Sequence, residues 1–143
     1  MTGKRYFCNQ ILHEMDKKII SAGAIFGMLA IILGAFGAHA LKKVLSIEEL
    51  ATFETGVKYQ MYHALFLLFI GLASGIPEKR KKTIYNLVVF GVLFFSGSIY
   101  LLATNGHFLS FDFKIIGFVT PIGGLLLILA WGALLLNYFN KKS

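Results

Sequence analysis

The chain has 143 residues, of which 57% are hydrophobic and 15% charged, with a formal net charge of +7. A soluble domain carries roughly 25% charged residues and could not hide this much apolar surface, whereas a bilayer removes the need to hide it. The basic residues cluster between apolar runs with no interleaved aromatic stripe, which favours a topological role over nucleic-acid binding, and the single Cys8 excludes an intrachain disulfide or a cysteine-based zinc site.

In chain order, residues 1–16 read as a flexible N-terminal extension, residues 17–140 as a single four-span membrane domain, and residues 141–143 as a basic tail. Met15 opens MDKKII, which has the look of a natural start. Uncharged stretches follow at Ile19–Leu41, Tyr59–Pro77, Thr83–Phe111 and Ile115–Asn140. Each holds the roughly 20 residues that cross a bilayer as a helix, so spans are expected near 18–39, 57–76, 83–104 and 114–138. The small-x-small triplet Ala38-His39-Ala40 resembles a signal cleavage site. The apolar run before it, of about 20 residues, exceeds the 7–15 of a signal core and favours a retained helix. In the third stretch, Asn105-Gly106-His107 predicts a turn out of the membrane.

Between spans one and two, Ser46-Ile47-Glu48-Glu49 fits a capping box. An amphipathic interfacial helix is expected over about 47–56, with Ile47, Leu50, Glu54 and Val57 on one face and a turn into the bilayer at Thr55-Gly56. Lys58 stands four residues after Glu54, the favourable order for an ion pair.

Lys4, Arg5, Lys17 and Lys18 precede span one, Lys79, Arg80, Lys81 and Lys82 lie between spans two and three, and Lys141 and Lys142 follow span four. Fewer basic residues occupy the opposite loops, so the excess assigns both termini to the cytoplasm. Trp131 and Tyr138 suit an interfacial aromatic belt.

Gly23, Gly27, Ala30, Gly34 and Gly37 repeat at helical spacing. They predict a small-residue groove that lets a neighbouring helix approach closely, which is how helices associate in lipid. On span two, Gly56, Gln60, His63, Leu67, Gly71 and Ser74 share a face. Polar side chains facing lipid lack partners, so this face should turn toward the groove. Span three offers Ser96, Ser98 and Tyr100, and span four offers Thr120 and Pro121. Pro121 is expected to kink its helix or to free a carbonyl about four residues earlier, near Gly117. Counting inward places His39, His63, Ser98 and Thr120 in the outer half, with His63 roughly 9 Å deep at 1.5 Å per residue. The inner half reads as Leu, Ile, Val and Phe. This asymmetry predicts a polar cluster opening outward, with Glu54 and Lys58 at its rim.

Several chemistries fit such a cluster. It joins helices by hydrogen bonds, or it holds a small amphiphile such as a lipid or quinone, with Tyr59 and His63 as contacts or a proton relay. His39 and His63 as metal or haem ligands form a further reading, although no third ligand is signalled. No phosphate loop, nucleophile elbow or intramembrane carboxylate pair supports an enzyme, and no cofactor is expected. A transporter or channel subunit is the alternative; four helices make a narrow pore, so a pore would require an oligomer.

The pieces GAFGAHAL at 34–41, FETGVKYQMYHAL at 53–65, FSGSIYLL at 95–102 and TPIGGLLLILAWG at 120–132 occur in that order. Together they resemble the small bacterial membrane proteins of the YwdK and YgdD type, the family labelled domain of unknown function 423. The resemblance covers nearly everything from about residue 17. It implies a four-span inner-membrane protein and no particular activity. Its motif residues His39, Glu54, Tyr59, Gln60, His63, Ser96, Ser98, Thr120 and Pro121 coincide with the polar cluster. The sequence thus predicts an all-α, polytopic four-transmembrane-helix bundle in a bacterial inner membrane, partnered by lipid, by copies of itself or by other membrane proteins.

Overall fold

The computed structural model describes residues 13–108 and 113–140. Most of the expected N-terminal extension and the basic tail lie outside the described residues. Four long helices dominate: α1 Glu14–His39, α2 Ile47–Leu72, α3 Glu78–Ala103 and α4 Val119–Phe139. Short 3-10 segments, Leu41–Lys43 and Phe113–Phe118, precede α2 and α4. Among the described residues three stretches are long and apolar enough to cross a membrane: Glu14–Lys43, Glu78–Ala103 and Ile115–Phe139. α2 is as long as α1 and α3, but Lys58, Gln60 and His63 lower its hydropathy.

Consecutive helices run antiparallel. α1 packs along α2, α2 along α3, and α3 along α4, with a smaller contact between α1 and α3. Among the described residues α1 and α4 do not pack on each other, so the bundle is an open array with α2 and α3 inside. Large apolar side chains such as Ile31, Ile32, Leu65, Phe69, Ile128 and Leu135 cover its outside and are exposed, as lipid-facing residues are.

The small-residue groove faces α2 as its spacing predicts. A Cβ on Gly23 would stand 2.9 Å from the Ala64 carbonyl oxygen, Gly27 lies against Ala64, Gly34 against Val57 and Gly37 against Phe53. Ala30 is buried in the same seam. α3 and α4 meet as closely: a Cβ on Gly123 would collide with the backbone of Phe94 and Phe95.

Several boundaries differ from the sequence expectation. α1 begins at Glu14, so residues 14–16 belong to a helix and not to an extension. The segment 47–56 is the first part of α2, which continues through Thr55 and Gly56 without a turn. The capping box explains its start: the Glu49 amide donates to Ser46 Oγ, and the Ser46 amide donates to Glu49 Oε2. Helix α3 starts inside the basic PEKRKK segment, directly after Pro77. Pro121 produces no kink. It sits in the first turn of α4, where the amide it lacks would have no helical partner, and Gly117 lies in the preceding 3-10 segment. The turn after α3 is as expected, and Gly106 takes φ +83 there, a conformation open to glycine.

Gly123→Ala should destabilise the protein by roughly 1–3 kcal/mol, because the added methyl meets backbone that cannot swing aside. Gly97 has nothing within 4 Å of an added Cβ, so Gly97→Ala should leave the melting temperature in detergent unchanged or raised. Equal losses in both variants would refute the close α3–α4 seam.

Candidate functional site

The Gly56–Gln60 turn of α2 meets the Ser96–Tyr100 turn of α3. Ser96 Oγ donates to the Gly56 carbonyl at 2.7 Å, and Tyr100 Oη donates to Gln60 Oε1 at 2.8 Å. Gly56 leaves room for the tyrosine, since a Cβ there would stand 2.7 Å from its ring. Gln60 Nε2 then crosses to α1 and donates to the Phe26 carbonyl at 2.9 Å. Phe26 lies midway along α1, about 18 Å from either end at 1.5 Å per residue. A backbone oxygen there is reachable because Gly23, Gly27 and Ala30 bring the helices together. Gln60 is 5% exposed and Ser96 1%.

His63 lies one turn further along α2. Trp131 Nε1 on α4 donates to His63 Nε2 at 3.2 Å, and His63 Nδ1 stands 2.7 Å from the Tyr59 carbonyl. These two bonds select the tautomer with the proton on Nδ1 and the lone pair on Nε2. The Trp131 ring also stacks on Phe66 with centroids 4.2 Å apart. Ser98 and Thr120 hydrogen-bond to each other across α3 and α4.

The structure brings together Gln60, Ser96 and Tyr100, and separately His63 with Trp131 and Ser98 with Thr120. Tyr59 is partly exposed and packs its ring on Phe95 and Tyr62. The remaining expected site residues stand apart. His39, Glu54, Lys58 and Pro121 are exposed, and Glu54 and Lys58 form no ion pair among the described residues. Ser74 is exposed, whereas the other members of its expected face are buried. Ile47 is exposed, so the face expected to include it packs only through Leu50 and Val57.

Gln60 and His63 lie near the middle of α2, which extends across residues 47–72 as one helix. One placement corrects the expected apolar inner half. The other end of the bundle is not purely apolar. Lys81 Nζ donates to Asp16 Oδ1 at 2.7 Å and stands 3.4 Å from the Gly71 carbonyl, and Lys81 is only 5% exposed. Asn137 Nδ2 approaches the Gly75 carbonyl beside it. This ion pair was invisible in a basic loop whose acidic partner lies distant in sequence. Trp131 gave a usable signal: an indole N–H inside an apolar run needs an acceptor at matching depth.

His63 has both ring nitrogens engaged, so ligating a metal or haem iron through Nε2 would break its bond from Trp131. No group of three His, Cys, Asp or Glu side chains gathers among the described residues. No buried side-chain nitrogen or oxygen lacks a hydrogen-bond partner among them either.

At the start of α2, His107 Nε2 lies 3.1 Å from both carboxylate oxygens of Glu49. The Ser46 amide, followed by His107, holds the Glu49 carboxyl below the ordinary glutamate value of 4.5. A lowered folded-state pKa contributes stability above the unfolded value and loses it as pH falls through the folded one. The melting temperature in detergent should therefore fall as pH drops below the ordinary glutamate value of 4.5, and Glu49→Gln should flatten part of that fall. An unchanged slope in the variant would contradict this assignment.

The family model described as "Protein of unknown function (DUF423)" matches residues 33–124. The chain is 43% identical over 124 residues to a UPF0382 membrane protein of Staphylococcus saprophyticus, covering 87% of this chain and 98% of the relative. It is 44% identical over 115 residues to a UPF0382 membrane protein of Staphylococcus epidermidis, covering 80% and 89%. A UPF0382 membrane protein of Haemophilus influenzae is 33% identical over 129 residues, covering 90% and 99%. No solved structure matches.

Proposed function

The chain belongs to the DUF423 family of bacterial membrane proteins of unknown function, and from that premise we propose a non-enzymatic, four-span inner-membrane protein whose interior polar cluster locks its helices together. The fourth span in this reading is α2. It is as long as its antiparallel neighbours α1 and α3 and packs between them. Its polar residues Gln60 and His63 are buried against protein, so they do not have to be solvated by lipid. Both termini lie in the cytoplasm, since Lys17, Lys18, Lys79, Arg80 and Lys82 gather at the end where α1 and α3 begin.

The observation that carries the structural reading is the saturation of the cluster. Ser96 is spent on the Gly56 carbonyl, Gln60 on Phe26 and Tyr100, and His63 on Tyr59 and Trp131. A nucleophile would need a base at hydrogen-bond distance, but Ser98 and Thr120 bond to each other. A transporter or channel subunit would turn polar groups toward a path, whereas these groups turn toward one another. The alternative within the same site is a small lipid or quinone held beside His63 and the partly exposed Tyr59.

His63→Ala leaves the Trp131 indole N–H without its acceptor and should cost roughly 1–3 kcal/mol. The structural reading expects an earlier melt in detergent and no ligand mass lost from the protein. Native mass spectrometry of wild type and variant released from nanodiscs checks it. A discrete adduct present in wild type and absent in His63→Ala would replace the lock with a binding site.

A further inference from the structure

The bundle end where α1 and α3 begin carries a cavity that the polar cluster does not use. It has a volume of about 390 Å³ and is lined by Pro77, Lys79, Arg80 and Thr83. That volume lies within the roughly 300–1,000 Å³ range of small-ligand sites. Every charged residue in its wall is cationic. Among the described residues no carboxylate pairs with Lys79 or Arg80. The nearest acid in sequence, Glu78, is 3.8 Å from His13 and lines a different cavity with Glu14 and Lys17.

The two cations are positioned differently. Arg80 Nη1 lies 3.4 Å from the Ala133 carbonyl on α4, which aligns the guanidinium at the α3–α4 junction with further N–H donors to offer. Lys79 is exposed beside it. Thr83, whose Oγ1 donates to the Lys79 carbonyl, lines the cavity one turn along. α3 starts at this point with no side-chain cap, and its first amides add partial positive charge. A planar guanidinium beside a mobile ammonium suits a phosphate group, which accepts two parallel hydrogen bonds from the one and a point charge from the other. The neighbouring α4 surface is apolar, with Leu129 and Leu136 exposed, as an acyl chain would require.

We propose that this cavity is a binding site for a phosphate group at the membrane surface, of the kind carried by an anionic phospholipid headgroup. The proposal rests on these helix ends lying at a bilayer surface. It does not rest on the Gln60 cluster, which neither Lys79 nor Arg80 contacts.

The test uses the full chain in neutral detergent, titrated with phosphatidylglycerol or phosphatidylcholine and read by native mass spectrometry. Wild type is compared with Lys79→Gln, with the double variant Lys79→Gln/Arg80→Gln, and with Lys42→Gln/Lys43→Gln at the opposite end. The expected result is retention of phosphatidylglycerol over phosphatidylcholine, weakened about tenfold or more in the double variant and several-fold in Lys79→Gln. The Lys42/Lys43 variant should match wild type. Lys79 makes no contact that holds a helix, so its variant keeps the test open if the double variant melts early. Inorganic phosphate at millimolar concentration separates the sources. Retained lipid in its presence identifies the headgroup with its chains, and full displacement identifies free phosphate as sufficient. Equal retention in all variants, or an equal loss when Lys42 and Lys43 are changed, would overturn the site.

Discussion

An amide side chain midway through an apolar bundle has to be satisfied by protein, and Gln60 sets the arrangement of three helices by meeting that requirement. Its carbonyl takes the Tyr100 hydroxyl from α3, and its nitrogen donates to a main-chain carbonyl of α1. Gln60 is buried, so protein groups and not solvent meet its hydrogen bonds. The side chain reaches α1 only if the two backbones approach closely, and that is what Gly23, Gly27 and Ala30 permit. Interhelical hydrogen bonds in membranes contribute modestly, averaging about 0.6 kcal/mol in measured cycles. Their greater consequence is register: sliding α1 or α3 by one residue would leave the Gln60 amide without partners, at a cost of several kcal/mol.

The ends of the bundle are fastened by charge. Asp16 and Lys81 join the starts of α1 and α3 beside the last turn of α2. Breaking such a buried pair by removing one partner costs about 3–5 kcal/mol, because the other charge stays buried. At the opposite end the capping box at Ser46 and the Glu49–His107 contact tie the start of α2 to the turn after α3. α4 is held by different means. Gly91 and Gly123 let it lie against α3, and Trp131 reaches past α3 to His63 and Phe66 on α2.

Much of this was legible from local pattern. The glycine stripe, the capping box and the buried face of α2 each follow from spacing within one segment. What escaped was set by partners far along the chain or by position at a helix start. Lys81 sits in a run of like charges whose obvious reading is a solvated loop, and only folding brings Asp16 to it. Pro121 lies inside an apolar run, but the α-helix starts just before it, where proline is tolerated. Gln60 and His63 sit near the middle of α2 because that helix already starts at Ile47, ahead of the uncharged stretch that begins at Tyr59.

A double-mutant cycle between Gln60→Leu and Tyr100→Phe, measured by reversible unfolding in detergent, tests the central claim most directly. If the amide links the helices, the two changes together should cost less than the sum of the single changes, with a coupling of about 0.6–1.7 kcal/mol. Strict additivity would mean that Gln60 and Tyr100 act independently, and that the register of the bundle is set by packing alone.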